Sequence, residues 1–115
     1  MKVIEISDIK AQEATSKLFR GKVSSQRVIS EGEAGFRVGV VHFSLGAVSV
    51  FHTHTFNQVL YITEGTGIVA TENEEVTVTP GTFILIPAGE KHWHGATKDT
   101  TFSHLFINPP GETSF

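Results

Sequence analysis

Short runs of apolar and β-branched residues alternate with polar turns along most of the chain. Val, Ile, Thr and Phe are frequent in these runs, as they are in β-strands, whereas helix signals are scarce. Regular short strands with turn residues between them are typical of an all-β sandwich or barrel. The pattern predicts strands at Lys22–Ser30, Phe36–Leu45, Ala47–His52, Gln58–Thr63, Gly67–Thr71, Glu75–Thr79, Thr82–Ile86, Lys91–His94 and Thr101–Ile107.

The connections between these strands carry residues suited to chain reversal. Glu64–Gly67 contains two glycines that tolerate positive φ, and Glu72–Glu74 separates two alternating runs as a hairpin tip would. Ile86–Gly89 fits a type I turn with Pro at the second position. Pro109–Gly111 ends the last strand, so we expect Glu112–Phe115 to be a loose tail.

The length and composition favour one small β domain. We expect residues 1–115 to form a single domain, with its core at about 18–108, an N-terminal strand or arm at 1–17 and a tail at 109–115. The chain contains no cysteine, which excludes disulfides and thiolate metal sites. Histidine, carboxylate and amide side chains are therefore the metal ligands available.

The net charge and the N-terminal residues limit the kinds of partner that can be expected. A net charge of −3 without a basic cluster argues against a nucleic-acid partner. Met1–Lys10 is short and mixed, with Glu5 and Asp8 inside it, so it resembles neither a signal peptide nor a membrane span. We therefore expect a cytoplasmic protein whose partner is a small-molecule substrate.

Three histidines and one glutamine are the candidate chemistry. His52 and His54 are two residues apart, so on a strand both point to the same face. Gln58 begins the next predicted strand, and His92 follows the turn at Pro87–Gly89. A lone strand histidine is more often a solvated surface residue or a satisfied core residue. Here the histidines lie in apolar sequence, where several unpaired imidazoles would be costly, and a shared cation would remove that cost.

The spacing of these residues resembles that of a known family. The segment from Gly46 to Gly65 resembles the first cupin motif, and the segment from Gly81 to His92 resembles the second. Gln58 stands where the first motif usually has Glu, and Ala96 stands where the second usually ends in Asn. The resemblance implies an all-β fold, a single-domain cupin in which two antiparallel sheets form a jelly-roll barrel (a double-stranded β-helix). The matching positions are Gly46, His52, His54, Gln58, Gly65, Gly81, Pro87, Gly89 and His92.

A closer resemblance extends from Leu18 to Asn108. Over this region the chain is similar to small bacterial cupins that include manganese-dependent hydroxynitrile lyases. Both departures from the general motifs are the norm in that group, whose metal ligands are three His and one Gln. The stretches that carry the similarity are Leu18–Gly21, His52–Thr55, Gln58–Leu60, Gly89–Ala96 and Ser103–Leu105.

The resemblance implies one divalent metal ion and a paired assembly. It favours manganese, although a set of three nitrogens and one oxygen also suits Fe, Ni, Co or Zn. The family commonly forms homodimers, often by exchanging an N-terminal strand, and Val3–Ile6 could serve as that strand. The metal ligands implied here are His52, His54, Gln58 and His92.

An amide ligand at Gln58 would change the charge of the metal site. A carboxylate would cancel one unit of the ion's charge, whereas an amide cancels none. The ion should therefore be a stronger Lewis acid than in a site with three His and one Glu.

Two further histidines are candidates for catalysis. His94 lies two residues beyond His92 and shares its strand face, and His104 alternates with Phe102 and Phe106 in the last strand. An imidazole near a cation but not bound to it should stay neutral and could take a proton. In the related lyases the matching histidine is thought to act in this way. The alternative is that each histidine only packs against its neighbours.

The remaining aromatic and aliphatic residues are interpreted as structural. We expect His42 to have a structural role and Trp93 to point away from the site. Val41, Leu60, Ile62 and Ile86 are expected near the mouth of the pocket. The phenylalanines expected in the core or in pocket walls are Phe36, Phe43, Phe51, Phe83, Phe102 and Phe106.

Three functions remain open from the sequence. The first is a metal-dependent lyase of the hydroxynitrile-lyase type, which breaks or forms a C–C bond with a histidine as general base. The second is a metal-dependent dioxygenase of the quercetinase kind, which needs open positions on the metal. The third is a non-catalytic module that binds a small molecule and needs no proton-transfer group.

Overall fold

Strands make up most of the regular structure in the computed structural model, which describes residues 1–115. Helix is limited to one α-helical turn and one 3-10 turn. The strands are β1 (Gln12–Glu13), β2 (Phe19–Arg20), β3 (Val23–Ile29), β4 (Arg37–Phe43), β5 (Val48–Ser49), β6 (Thr53–His54), β7 (Gln58–Gly65), β8 (Gly67–Thr71), β9 (Glu75–Val78), β10 (Phe83–Ile86), β11 (His92–Ala96), β12 (Phe102–Asn108) and β13 (Thr113–Ser114).

The strands form two main antiparallel sheets and one small one. The larger sheet has the order β1-β3-β4-β12-β7-β10, and the second has the order β2-β5-β11-β8-β9. Strands β6 and β13 pair separately. Neighbours in a sheet are often distant in sequence, as when β12 lies between β4 and β7. The predicted all-β barrel of two antiparallel sheets is confirmed.

The core fills the space between the two sheets. Phe43 on β4 and Phe102 on β12 are almost wholly buried, and their rings lie 5.7 Å apart. A Cβ at Gly67 would lie 2.4 Å from the Phe102 ring, so glycine is needed for this close approach. The core cluster comprises Val23, Val41, Phe43, Ala47, Ile62, Val69, Val78, Ala96 and Phe102.

Two phenylalanines predicted for the core or pocket walls are instead exposed. Phe36 is 39% exposed, and Phe83 is 70% exposed. Phe83 is on β10, where side chains alternate between the two faces of the sheet. Phe83 points outward and contacts Tyr61 of β7, whereas Ile86 points inward and is buried. The prediction failed because β10 is apolar on both faces, so residue type alone does not tell which face is buried.

The one α-helical turn, α1 (Glu31–Ala34), was not predicted as an element. Ser30 and Glu33 form a capping box, in which each side chain bonds the other residue's backbone. Gly35 closes the turn in the left-handed region, with φ of 77°. The Ser-x-x-Glu pattern was readable in the sequence. Neither this turn nor the 3-10 turn at Ile6–Asp8 has the length or the apolar character needed to cross a bilayer.

Candidate metal centre

The structure brings three of the predicted ligand residues together. One ring nitrogen from each of His52, His54 and His92 lies within 4.8 Å of the others, and all three residues are buried. His52 and His92 form a β-bridge in which the N–H of each donates to the carbonyl of the other, at 2.9 and 3.0 Å. The two motif segments therefore meet at the site through their backbones.

The turn before His92 is anchored on the first motif. The N–H of Gly89 donates to the carbonyl of His54 at 2.8 Å, and the N–H of Ala88 donates to Oδ1 of Asn57 at 2.9 Å. The turn closes from Pro87 to Glu90, with Gly89 at its third position and φ of 83°. It is therefore one residue later than predicted, because glycine supplies the positive φ that this third position requires.

Local hydrogen bonds fix two of the three rings. Nδ1 of His52 donates to the carbonyl of Val50, and Nδ1 of His92 donates to the carbonyl of Glu90, both at 2.8 Å. A carbonyl oxygen only accepts, so each Nδ1 carries the proton and each Nε2 keeps its lone pair. This is the arrangement in which Nε2 can bind a metal ion.

The third ring is held by the predicted tail. Nδ1 of His54 lies 2.8 Å from Oγ1 of Thr113, and Thr113 pairs with His54 in the β6–β13 ladder. The prediction of a loose tail at Glu112–Phe115 is therefore wrong for Thr113–Ser114. These residues are ordered because β6 would otherwise be left without a strand partner.

Gln58 is oriented with its oxygen free. Nε2 of this buried side chain donates to Oδ1 of Asn108 at 2.9 Å. Its Oε1 has no hydrogen-bond partner, and neither do Nε2 of His54 and Nε2 of His92. Buried polar atoms are rarely left without partners, because their desolvation is then uncompensated. A divalent cation bound among these atoms would satisfy them, so the donor set fits such an ion.

The histidines of the cluster are held neutral. Burial lowers the pKa of His52 to about 4, and the neighbouring His92 and His54 add to the shift. Burial likewise lowers the pKa of His54 to about 4, with His92 contributing and Gln58 opposing, and it lowers the pKa of His92. Neutral imidazoles keep the lone pairs that metal binding requires at neutral pH. The cluster could therefore bind a divalent metal ion.

The two predicted catalytic histidines lie next to the cluster. The rings of His94 and His104 are 4.9 Å apart, and the ring of His94 is 5.5 Å from that of His52. Both rings also contact Phe43 of the core, at 5.8 and 5.7 Å. His94 therefore lies between the cluster and His104, and the pair separates the cluster from the core.

Both of these histidines are neutral, and neither ring forms a hydrogen bond. Burial lowers the pKa of His104 to about 4, and it lowers the pKa of His94 well below the usual value, with His104 adding to the shift. Nδ1 of His94 and both ring nitrogens of His104 have no hydrogen-bond partner. A neutral imidazole has one nitrogen with a free lone pair, so each ring has one site that can accept a proton.

A cavity of about 710 Å³ opens beside His52. Its walls include the cationic residues Arg20 and Lys91, together with Ser114 of β13 and Phe51, which was predicted for the core or a pocket wall. The residues predicted at the pocket mouth do not line this opening but are buried inside the barrel. These are Val41, Leu60, Ile62 and Ile86.

Residues 39–108, which contain all four predicted ligands, match the family profile of the cupin domain. The chain belongs to the cupin family. Among its relatives is an (R)-mandelonitrile lyase from Granulicella tundricola, 41% identical over 68 residues, which are 58% of this cupin and 52% of the lyase. The matched region thus spans about half the length of that lyase.

Two other similarities involve proteins with different names. An L-ectoine synthase from Mycolicibacterium gilvum is 32% identical over 90 residues, covering 76% of this cupin and 68% of the synthase. The crystal structure of a cupin-like protein from Thermotoga maritima superposes with a TM-score of 0.87 at 25% identity, covering 100% of this cupin and 88% of the other chain. Some relatives of the cupin are therefore enzymes, and they differ in activity.

The polar residues that support the cluster carry no signal in the local sequence. Asn108 orients the amide of Gln58, and Thr113 contacts His54, but no local pattern marks either residue. His42, predicted as structural, bonds Ser103 and Gln26 at 2.7 Å each. In this cupin it therefore lies in a separate hydrogen-bonded row, away from the cluster.

Proposed function

We propose that this cupin is a metal-dependent lyase that breaks or forms the C–C bond of a hydroxynitrile. The observation that carries the proposal is the buried donor set of the cluster with two neutral histidines beside it. The similarity to a protein named (R)-mandelonitrile lyase supports this choice of substrate class. Because only about half of that lyase is matched, the activity needs a direct test.

The proposed metal ligands are Nε2 of three histidines and Oε1 of one glutamine. Manganese is the proposed ion, with Fe, Ni, Co and Zn as alternatives that a set of three nitrogens and one oxygen also allows. When bound, the ion would act as a Lewis acid that stabilises negative charge on the substrate. The proposed ligand residues are His52, His54, Gln58 and His92.

The proposed proton acceptor is His104, with His94 as the second candidate. In the cleavage direction, a ring nitrogen takes the proton of the substrate hydroxyl while the oxygen forms a carbonyl and the C–C bond breaks. The electron pair of that bond leaves with cyanide, which then takes the proton from the imidazolium to give hydrogen cyanide. The neutral state of His104, set by its burial, makes it competent to accept the first proton.

The activity is tested by cyanide release from mandelonitrile. Protein stripped with a chelator is reloaded with Mn, Fe, Ni, Co or Zn, and released cyanide is measured for each sample. We expect turnover only in metal-loaded protein, highest with Mn. The stripped protein is the control for spontaneous decomposition of the substrate. Cyanide release that is equal in loaded and stripped protein would refute the proposed lyase.

The same preparations separate the two alternative functions. Oxygen uptake with a dihydroxylated aromatic substrate would indicate a dioxygenase, although a donor set without a carboxylate gives no reason to expect it. Tight binding of a small molecule without turnover, unchanged in His94→Leu and His104→Leu variants, would indicate a binding module.

We also propose that the cupin is a homodimer formed by the outer face of the larger sheet. Cross-strand rows place apolar residues side by side there, with Leu105, Tyr61 and Phe83 in one row. Leu85 of β10 is 66% exposed in the next row, and β10 is an edge strand. An exposed apolar face of this kind is typical of an interface, and a two-fold axis would pair it with its own copy.

A charge on this face is expected to separate the proposed dimer. Light scattering after gel filtration should give twice the 12.5 kDa chain mass for the wild type and the single chain mass for Leu85→Glu. Leu45→Glu is the control, because Leu45 is 62% exposed but outside this sheet face. A monomeric wild type, or a dimeric Leu85→Glu variant, would contradict the proposal. The exchange of Val3–Ile6 between subunits stays a prediction.

A further inference from the structure

We propose that Thr113 is a positioning residue for the metal centre, and that β13 completes the site by holding the ring of His54. The inference rests on the proposed ligand set. It assigns a role to a segment that lies outside the region matching the cupin family profile, which ends at residue 108.

His54 differs from the other two ligand histidines in where its Nδ1 finds a partner. His52 and His92 each bond the carbonyl of the residue two positions earlier, which belongs to Val50 or Glu90. For His54 the equivalent carbonyl belongs to His52, and it already accepts the N–H of His92 at 3.0 Å. Nδ1 of His54 instead meets Oγ1 of Thr113, which is 59 positions away in the chain. The third ring therefore depends on another strand for its orientation.

Strand β13 is attached closely enough to set that position. The N–H of Thr55 donates to the carbonyl of Glu112 at 3.0 Å, and the N–H of Glu112 donates to Oγ1 of Thr55 at 2.9 Å. A Cβ at Gly111 would lie 2.4 Å from Oγ1 of Thr55. Only glycine therefore lets the chain pass this close to the residue that follows β6. This reciprocal pair fixes the register that places Thr113 opposite His54.

The hydroxyl of Thr113 suits a ring that binds metal through Nε2. Once Nε2 binds the ion, Nδ1 must carry the proton, and the Nδ1–H can donate a hydrogen bond to Oγ1. Partners of this kind orient a metal-binding imidazole and raise its basicity, and their loss typically lowers metal affinity about 10- to 100-fold. Valine would preserve the shape of the side chain and remove only this hydrogen bond.

The test compares metal affinity in three variants. Dissociation constants for Zn²⁺ and Mn²⁺ are measured by competition with a chelating dye, using protein first stripped of metal. We expect Thr113→Val to bind each ion about 10- to 100-fold more weakly than the wild type. Thr113→Ser should restore affinity to within roughly threefold of the wild type, because it keeps the hydroxyl. Ser114→Ala, on the same strand, should leave affinity unchanged.

A second measurement separates orientation from general stability. In the zinc-loaded wild type, NMR should show a slowly exchanging Nδ1–H on His54, and this signal should be lost from Thr113→Val. The thermal midpoint of the metal-free protein should be nearly the same in both, since Thr113 is exposed. Unequal midpoints of the metal-free proteins with equal metal affinities would mean that Thr113 is merely structural.

The outcomes distinguish this inference from the proposed activity. Equal affinity in wild type and Thr113→Val, or a failure of Thr113→Ser to rescue, would overturn the role of the hydroxyl. Weakened binding in Thr113→Val without cyanide release by the wild type would support this inference and refute the lyase. A wild type that binds no divalent ion would overturn both.

Discussion

Replacing His92 with alanine is expected to abolish divalent metal binding. His92 contributes one of three ring nitrogens in the cluster, and its Nε2 is among the buried atoms without a partner. We expect the affinity for the metal ion to fall by more than about 100-fold. Loss of a residue that only hydrogen-bonds to a ligand lowers it by less, about 10- to 100-fold. Because no protein-bound ion would remain, cyanide release should fall to the level of stripped protein.

Metal-induced stabilisation measures this loss without an activity assay. At a free metal concentration of 100 times the dissociation constant, binding adds about 2.7 kcal/mol to the free energy of unfolding. That corresponds to roughly 10 °C in the thermal midpoint of a domain of this size. The wild type should show this shift on adding Mn²⁺, and His92→Ala should show none.

His42→Gln is the matched control for the loss of a histidine. His42 is half-buried and bonded to Ser103 and Gln26 on the outer row, so metal binding should survive its replacement. A wild-type thermal shift in His92→Ala would contradict the proposed ligand set. Loss of the shift in His42→Gln would mean that histidine replacements act through the fold.

The candidate site was predictable because its ligands follow backbone rules. Residues i and i+2 of a strand share a face, which places His52 and His54 together. Glycine at the turn before His92 brings the second segment back onto the first, so the resemblance to the family motifs correctly implied that the segments converge. The strands at Gly67–Thr71 and Val23–Ile29 were predicted to within a residue for the same reason: each is bounded by turn residues.

The unpredicted parts depend on contacts between distant positions. Thr113 and His54 are 59 residues apart, and the local sequence Glu112–Phe115 has the polarity of a solvated end. The pairing of β13 with β6 arises only once the barrel has presented an unpartnered strand. Likewise, Phe83 and Ile84 are both apolar, and only the packing of β10 on β7 decides that Phe83 faces outward. Periodicity predicts two faces for such a strand and not which one is buried.

Along the interior of the barrel, apolar side chains give way to histidines and then to the candidate metal ligands. Phe43 and Phe102 fill one end, His94 and His104 come next, and the cluster follows. Each buried imidazole costs desolvation that hydrogen bonds do not fully repay, since several ring nitrogens have no partner. Folding alone gives no reason to retain five such rings, and their placement fits the proposed metal and substrate site.

Replacing His104 with leucine is expected to lower kcat about 100- to 10,000-fold while leaving metal affinity unchanged. The variant removes the proposed proton acceptor but no proposed ligand, and leucine fills a similar volume beside Phe43 and Phe102. Cyanide release under saturating mandelonitrile gives kcat, and dye competition gives the metal affinity. His94→Leu is the paired variant, and a larger loss of kcat there would transfer the role to His94.

The pH dependence provides a further check on His104 when wild type is compared with His104→Leu, because the pKa values of His52 and His54 are also lowered to about 4. A general base must be neutral, and burial lowers the pKa of His104 to about 4, so wild-type kcat should stay level from pH 7 to about 5 and then fall toward pH 4. The free energy of unfolding should also fall on acidification. The unfolded chain binds the proton more readily, because its histidine keeps the usual pKa of 6.5, so acid favours unfolding between about 6.5 and 4.

Metal-free wild type should therefore lose stability on acidification faster than metal-free His104→Leu. The difference in slope is at most about 1.4 kcal/mol per pH unit for one histidine in this window. Urea unfolding at pH 7, 6 and 5 measures it for both proteins. If the free energy of unfolding depended on pH equally in the two proteins, the fold would not be holding His104 neutral. The proposed role of His104 as the base would then be contradicted.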